Sequence, residues 1–501
     1  MTEYAIIPRP VSVEYTVGDF RCFGVPRVTL DGDEFESEVR VFNAQIAKTL
    51  GEDAFAKGSG KVSLAKTAST AGGDEAYRLE ILADGIRLCA ANGAGIFRGL
   101  QVLRQLFLSG YRDGELSIPC GVIEDKPRFS WRGLMLDCSR NFFSVDFIKN
   151  LLDALSLHHI SIFHWHLTDD QGWRLPVRQY PLLTEIGSKR YDSRTRMHLT
   201  GFYTEAEIRE IVSYAAERHI EVVPEVDLPG HASAILAAYP GLGCTGGSYK
   251  VEERFGVFED VLCAGNDEIF HLAQAVFDTL VELFSSKYVH IGGDEVLFDR
   301  WKECPKCQER LAELGLDETP QLQSWITSRL ADMLRERGRA AIGWDEILEN
   351  TEKVPLPENA IVMSWRSQRG GNEAVALGRR VIMAPQSGGC YLDYRHTDHP
   401  EAIGRIGVGT VAQGFNLNPM TPEMDENAAS LVLGGQGNLW AETVSAGKLA
   451  EYMIFPRICA IAEALWTASA ERDLGDFGRR LAVHRGRLDR LGLLQYSGPL
   501  E

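Results

Sequence analysis

The chain has 501 residues, too many for one ordinary hydrophobic core, so a large domain with a smaller companion is expected. Hydrophobic residues at 45% and charged residues at 24% are close to average usage and favour neither a disordered nor an integral-membrane class. Lys and Arg number 52 against 70 Asp and Glu, and the net charge of −18 repels nucleic acid and anionic membranes, while no stretch approaches the roughly 20 apolar residues that span a bilayer, so neither nucleic acid binding nor membrane insertion is expected.

Residues 1–8 have neither a basic start nor an apolar run of signal-peptide length, which makes a cytoplasmic location the expectation. Residues 1–127 read as an α+β domain. Stretches 77–81 and 85–89 alternate like strands, and Ile96, Leu100, Val102, Leu103 and Leu106 fall on helical spacing. Pro127 is a natural break.

From residue 128 to 467 short apolar strands alternate with amphipathic helices. Strands are predicted at 133–137, 160–166, 221–227, 288–291, 341–345, 361–365, 381–384 and 431–435, and helices at 146–158, 205–219, 268–284, 321–337 and 447–464. That alternation predicts an α/β fold, a (β/α)8 TIM barrel preceded by the smaller α+β domain. Residues 468–501 place Phe477, Leu481, Val483, Leu488 and Leu491 on near-helical spacing, a tail helix packed on the barrel.

Of the ten cysteines, Cys304 and Cys307 form the single Cys-x-x-Cys spacing. A structural zinc needs four ligands, so a turn bearing two free thiols is expected, with no metal and no cofactor.

A barrel of this kind keeps its active site at the C-terminal ends of its strands. Those ends carry Asp137 and Arg140, Asp169 and Asp170, Asp227 and His231, Asp294 and Glu295, Trp344, Trp365, Tyr391 and Asp393, and Trp440 and Glu442. One such residue reads equally well as a solvated loop charge, but a full set converging on one mouth does not. Carboxylates with tryptophans and one arginine suit a neutral polyhydroxylated ligand, because sugar faces stack on indole and hydroxyls bond to Asp, Glu and Arg.

Ordinary glycosidases place two carboxyl groups roughly 5 to 9 Å apart across the scissile bond. The adjacent Asp294 and Glu295 fit this poorly, since neighbours on a strand point to opposite faces. One explanation is that the nucleophile belongs to the substrate, the 2-acetamido group of an N-acetylhexosamine. Glu295 then protonates the leaving oxygen while Asp294 orients the acetamide.

Five ordered motifs, at 131–140, 164–170, 224–231, 290–295 and 435–442, make the chain resemble glycoside hydrolase family 20, the β-N-acetylhexosaminidases. The resemblance covers essentially the whole chain. It implies an exo-acting retaining enzyme that releases terminal non-reducing N-acetylglucosamine or N-acetylgalactosamine by substrate-assisted catalysis through an oxazolinium intermediate. It implies Glu295 as acid and then base, Asp294 on the acetamide N–H, and Tyr391 on the acetamide oxygen. Trp344, Trp365 and Trp440 wall the N-acetyl pocket, while Arg140, Asp393 and Glu442 bind the outer hydroxyls. Asp169 and His231 tune Glu295, whose carboxyl must stay protonated near neutral pH. Asn141 and Gln436 depart from the family pattern, where many members carry His and Glu.

Three rivals stay open at this stage. His164 and His166 share a strand face, the spacing of a metal pair in barrel hydrolases, against a packed role behind the site. A non-catalytic sugar-binding barrel uses the same tryptophans. Glu442 as a conventional nucleophile predicts a covalent glycosyl-enzyme.

Overall fold

The computed structural model describes residues 4–29, 34–55, 61–67, 72–192 and 196–501, so residues 1–3 of the segment read for a leader lie outside it. In the N-terminal part, β1 (Ser12–Phe23), β2 (Val62–Lys66), β3 (Tyr77–Leu82), β4 (Gly85–Ala90) and β5 (Glu115–Asp125) form one sheet in the order β1-β5-β3-β4-β2. Only the β2–β4 pair is parallel. Helices α1 (Glu36–Leu50) and α2 (Gly93–Gly110) accompany it. Asn92 starts α2 by accepting from the amides of Ala94 and Gly95.

Apolar residues of α2 such as Leu100, Leu103 and Phe107 join the core of the sheet. Its polar residues are buried too, and they bond into the following domain. Arg98 donates to the carbonyl of His219, and Gln105 donates to that of Leu157. A helix buried on all sides needs such partners, because an unpaired buried polar group is costly.

The second part is a closed barrel of parallel strands in chain order: β6 (Trp131–Asp137), β7 (Ile162–His166), β8 (Glu221–Glu225), β9 (Tyr288–His290), β10 (Ala340–Trp344), β11 (Ile361–Ser364), β12 (Arg380–Met383) and β13 (Val432–Leu439). The helices that cover it include α3 (Val145–Leu157), α4 (Glu205–Ala216), α5 (Glu268–Leu283), α6 (Pro305–Glu313), α7 (Gln321–Glu336) and α8 (Arg369–Ala376). Inward side chains such as Met135, Ile162, Val223, Ile342, Ile361 and Ile382 fill the barrel, and a larger core lies between strands and helices. The barrel is therefore a packed interior with a polar rim.

The single helix expected at 447–464 is two, α9 (Gly447–Ile454) and α10 (Arg457–Trp466). Pro456 lacks an amide hydrogen and its ring crowds the preceding turn, so the helix breaks there. The last helix, α11 (Leu474–Arg490), touches both parts: Arg480 pairs with the buried Glu463 and donates to the carbonyl of Ile6, while Arg487 bonds Gln105. No helix among the described residues is long and apolar enough to cross a membrane.

Cys304 and Cys307 carry free thiols, as expected, but they do not stand alone. Cys244 and Cys263, distant in sequence and without a paired spacing, come to the same place. Only the tertiary fold joins them.

Candidate active site

All the predicted site residues except Asp169 and Asp393 line one cavity of about 220 Å3 at the C-terminal mouth of the barrel. Gln386 and Arg405 line it as well. A larger cavity of about 560 Å3 lies between loop 248–260 and Arg300. The strand-end residues converge on the smaller one, so the chemistry is placed there.

Strand β9 ends at His290, before the acidic pair. Gly292 and Gly293 then take φ of +69° and +92°, and Glu295 takes +51°. The alternation of a strand is lost over this turn, and both Asp294 and Glu295 face the cavity. The premise that these neighbours point to opposite faces is thereby corrected. A side chain at Gly292 would put its Cβ 1.7 Å from Asp227 Oδ1, so glycine is required. Asp227 also accepts the amide of Gly293 at 3.1 Å, which pins the turn. Left-handed backbone at the non-glycine Glu295 and at His231 (φ +45°) is costly, and such strain gathers at functional sites.

Glu295 is the more open of the pair, its side chain 38% exposed. His231 Nε2 lies 3.4 Å from Glu295 Oε2 and 3.7 Å from Asp294 Oδ2. The opposite ring nitrogen is 2.9 Å from Asp170 and 3.2 Å from Asp169. Burial opposes a charge on this imidazole, yet the contacts with Asp169, Asp170 and Glu295 outweigh it and hold its pKa well above the usual value. The bond with His231 pulls the Glu295 carboxyl below its ordinary range. Burial, and then repulsion from Asp227, pushes Asp294 well above its own. The two acids are thus shifted in opposite directions, Glu295 down and Asp294 up, against the order that an acid role for Glu295 requires.

Arg140 is held in place by Asp169 (2.7 Å), Asp137 (3.4 Å) and Gln171 (2.9 Å), and lies 5.0 Å from the ring centre of Trp440. Burial alone would weaken its charge, but the carboxylates of Asp169, Asp137 and Glu442 strengthen it. Asp393 stands behind the wall, paired with Arg405 at 2.6 Å, and burial pushes its carboxyl up to about 7. Asn141 donates to the carbonyl of Ala441, which ties the first strand end to the last.

Trp344 and Trp440 have ring centres 5.8 Å apart, and Trp365 lies nearly parallel to Tyr391. Burial raises the Tyr391 phenol well above its usual value, which keeps it a donor. Under Trp344, the buried Glu225 accepts from the indole nitrogen at 3.0 Å. The same carboxylate meets His164 and His290 at 2.9 Å and His166 at 2.5 Å. His164 and His166 are therefore engaged by one shared carboxylate at the floor of the site.

Glu346, Gln386 and Arg405 escaped sequence reasoning. Glu346 accepts from the Trp365 indole at 2.9 Å, and burial, with Asp294 nearby, raises its carboxyl to about 8. Its signal was present, an acid two residues past Trp344, but Asp345 beside it carried equal weight. Gln386 opens a short 3-10 turn and Arg405 a short strand, and neither segment has motif character.

The sequence matches the model of the glycosyl hydrolase family 20 catalytic domain over residues 129–469 and that of the family's domain 2 over residues 3–126. A beta-hexosaminidase of Porphyromonas gingivalis is 41% identical over 435 residues, which is 85% of this chain and 55% of that protein. The chain thus spans little more than half the length of this relative. A beta-N-acetylhexosaminidase of Cellulomonas fimi is 32% identical, with 100% of this chain and 97% of that one covered. Among solved structures, the family 20 exo beta-N-acetylglucosaminidase of Vibrio harveyi, in complex with N-acetylglucosamine, has a TM-score of 0.88 at 28% identity. That match covers 99% of this chain and 78% of the other. The Streptomyces plicatus N-acetyl-beta-hexosaminidase scores 0.86 at 29% identity, over 99% and 97%.

Proposed function

The chain belongs to glycosyl hydrolase family 20, and from that premise we propose that it is an exo-acting, retaining β-N-acetylhexosaminidase. Its substrates are terminal N-acetylglucosamine or N-acetylgalactosamine residues at the non-reducing ends of glycans or glycoconjugates. The observation that carries the reading is Asp294 and Glu295 on one cavity walled by Trp344, Trp365 and Trp440. At about 220 Å3 the cavity is smaller than the roughly 300 Å3 at which drug-sized pockets begin, which suits a single sugar ring. Its lining by Arg140 and Glu442 supports a hold on the outer hydroxyls of that ring.

Glu295 gives its proton to the glycosidic oxygen as the bond from C1 to that oxygen breaks. The acetamide oxygen of the same sugar forms a new bond to C1, giving a cyclic oxazolinium ion. Asp294 accepts the acetamide N–H and stabilises the positive charge that develops, while Tyr391 donates to the acetamide oxygen. Water then attacks C1, its proton passing to Glu295, and the acetamide is restored. Two inversions at C1 leave the β configuration unchanged.

This route needs a proton on Glu295 and a charge on Asp294, against the directions in which their surroundings shift them. Substrate supplies both corrections. The aglycone strips water from the partly exposed Glu295, which favours its neutral form, and the N–H and the developing cation favour an ionised Asp294. The proton for Glu295 is at hand on His231, 3.4 Å away.

Assays with aryl N-acetyl-β-glucosaminides and the matching galactosaminides test the reading. Release with the β-anomer formed first, and strong inhibition by a thiazoline mimic of the cyclised acetamide, are expected. Binding of N-acetylglucosamine without release, or a covalent glycosyl-enzyme trapped on Glu442, would overturn it.

A further inference from the structure

The thiols of Cys244, Cys263, Cys304 and Cys307 all approach within 4.8 Å of one another. Cys263 Sγ is 3.6 Å from Cys307 and 3.8 Å from Cys304, and Cys244 Sγ is 3.8 Å from Cys307. A disulfide needs about 2.05 Å, so none of these pairs is bonded. Four sulfurs placed about 2.3 Å from a tetrahedral zinc ion are about 3.8 Å from each other. Three of the six edges are present at 3.6 to 3.8 Å, and the rest are within 4.8 Å.

We propose that Cys244, Cys263, Cys304 and Cys307 form a closed, four-thiolate structural zinc site. All four ligands are protein sulfurs, so no open position is left for chemistry, and soft thiolates in a tetrahedron select zinc over oxygen-preferring cations. Binding displaces the thiol protons. The resulting negative charge is met by backbone, since the amide of Gly265 is directed at both Cys263 and Cys307. Close approach is built in there. A Cβ on Gly265 would lie 2.2 Å from the carbonyl carbon of Lys306, so only glycine lets this backbone reach the Cys304–Cys307 turn. Next to Cys263, the carbonyl of Leu262 accepts from the indole N–H of the buried Trp301. Three of the sulfurs are buried and Cys244 is partly so.

The position gives the ion a task. Cys244 and Cys263 belong to the long connection after β8, which also carries His231. Cys304 and Cys307 follow the turn after β9, which carries Asp294 and Glu295. One ion thus rivets two loops of the rim together. From the riveted segment, the Glu252 amide donates to the carbonyl of Asp170, and the Arg254 carbonyl accepts from Gln171, the residue that holds Arg140. The clamp is independent of the hydrolytic reading above.

Elemental analysis of the full chain, purified under reducing conditions without chelator, is the test. Roughly one zinc per chain is expected, lost in the Cys304→Ser/Cys307→Ser variant. Cobalt exchanged into wild type should give the intense visible bands of tetrahedral thiolate coordination. Chelation should lower the thermal midpoint, and added zinc should restore it. Wild-type protein without stoichiometric zinc would overturn the proposal, as would iron in place of zinc or zinc retained by the double variant.

Discussion

His231 lies 3.4 Å from Glu295 and is held cationic by Asp169 and Asp170, so the two side chains share one proton as a unit. The last proton leaves this unit at the raised value of the imidazole, above its ordinary 6.5. In His231→Asn the Glu295 carboxyl loses the contact that depresses it, but it also loses the proton store, and must titrate alone in the carboxylate range. The descending limb of kcat/KM against pH should therefore move to lower pH, by about one unit or more. An unmoved limb would show that the imidazole only packs. The two acids separate by a second measurement. Glu295→Gln should lose about 10²- to 10⁴-fold in kcat on substrates with poor leaving groups and far less on activated aryl glycosides. Asp294→Asn should lose about 10²- to 10³-fold on all of them alike, because every substrate needs its acetamide aligned.

At the scale of elements, the strand ends were legible because a barrel commits its C-terminal mouth to function, and polar residues after apolar runs stand out there. What the sequence hid was the local backbone. Adjacent Asp294 and Glu295 were expected to diverge, whereas three left-handed residues between Gly292 and Glu295 turn both into the cavity. Glu346 and Arg405 were missed because their contacts with Trp365 and Asp393 come from tertiary packing. Cys244 and Cys263 were missed as partners of Cys304 and Cys307 for the same reason, since they have no spacing that marks them. Gly292→Ala tests the turn. Its methyl group would overlap Asp227 Oδ1 in a backbone region hostile to alanine, so a loss of about 2 kcal/mol or more in denaturant unfolding is expected. Residual folded protein should have a reduced kcat, since the displaced turn carries both acids. Wild-type stability together with wild-type kcat would contradict this account.

Across the whole molecule, the order of an α+β part followed by a barrel was legible from composition and periodicity, but the joint between them was not. The joint is polar and buried, and such residues look like surface in a sequence. Glu75, from the N-terminal part, meets Arg98 of α2 at 2.7 Å and Arg132 of β6 at 2.5 Å. Arg132 is fully buried and also donates to the carbonyls of Phe129 and His159, so its position fixes the base of the first barrel strand. Burial opposes the charge on Glu75, yet Arg132 and Arg98 outweigh it and hold the carboxyl at about 2. Its folded value lies below the ordinary 4.5, so this group's contribution is complete above about pH 4.5 and is lost as pH falls towards about 2. Glu75→Gln leaves two buried guanidinium groups without their carboxylate and should cost about 3 kcal/mol near neutral pH. The gap in thermal midpoint between wild type and variant should be widest above about pH 4.5 and should close steadily in more acid buffer. A gap that stays constant over that range would mean that the side chain joins the two parts by shape and hydrogen bonding, without its charge.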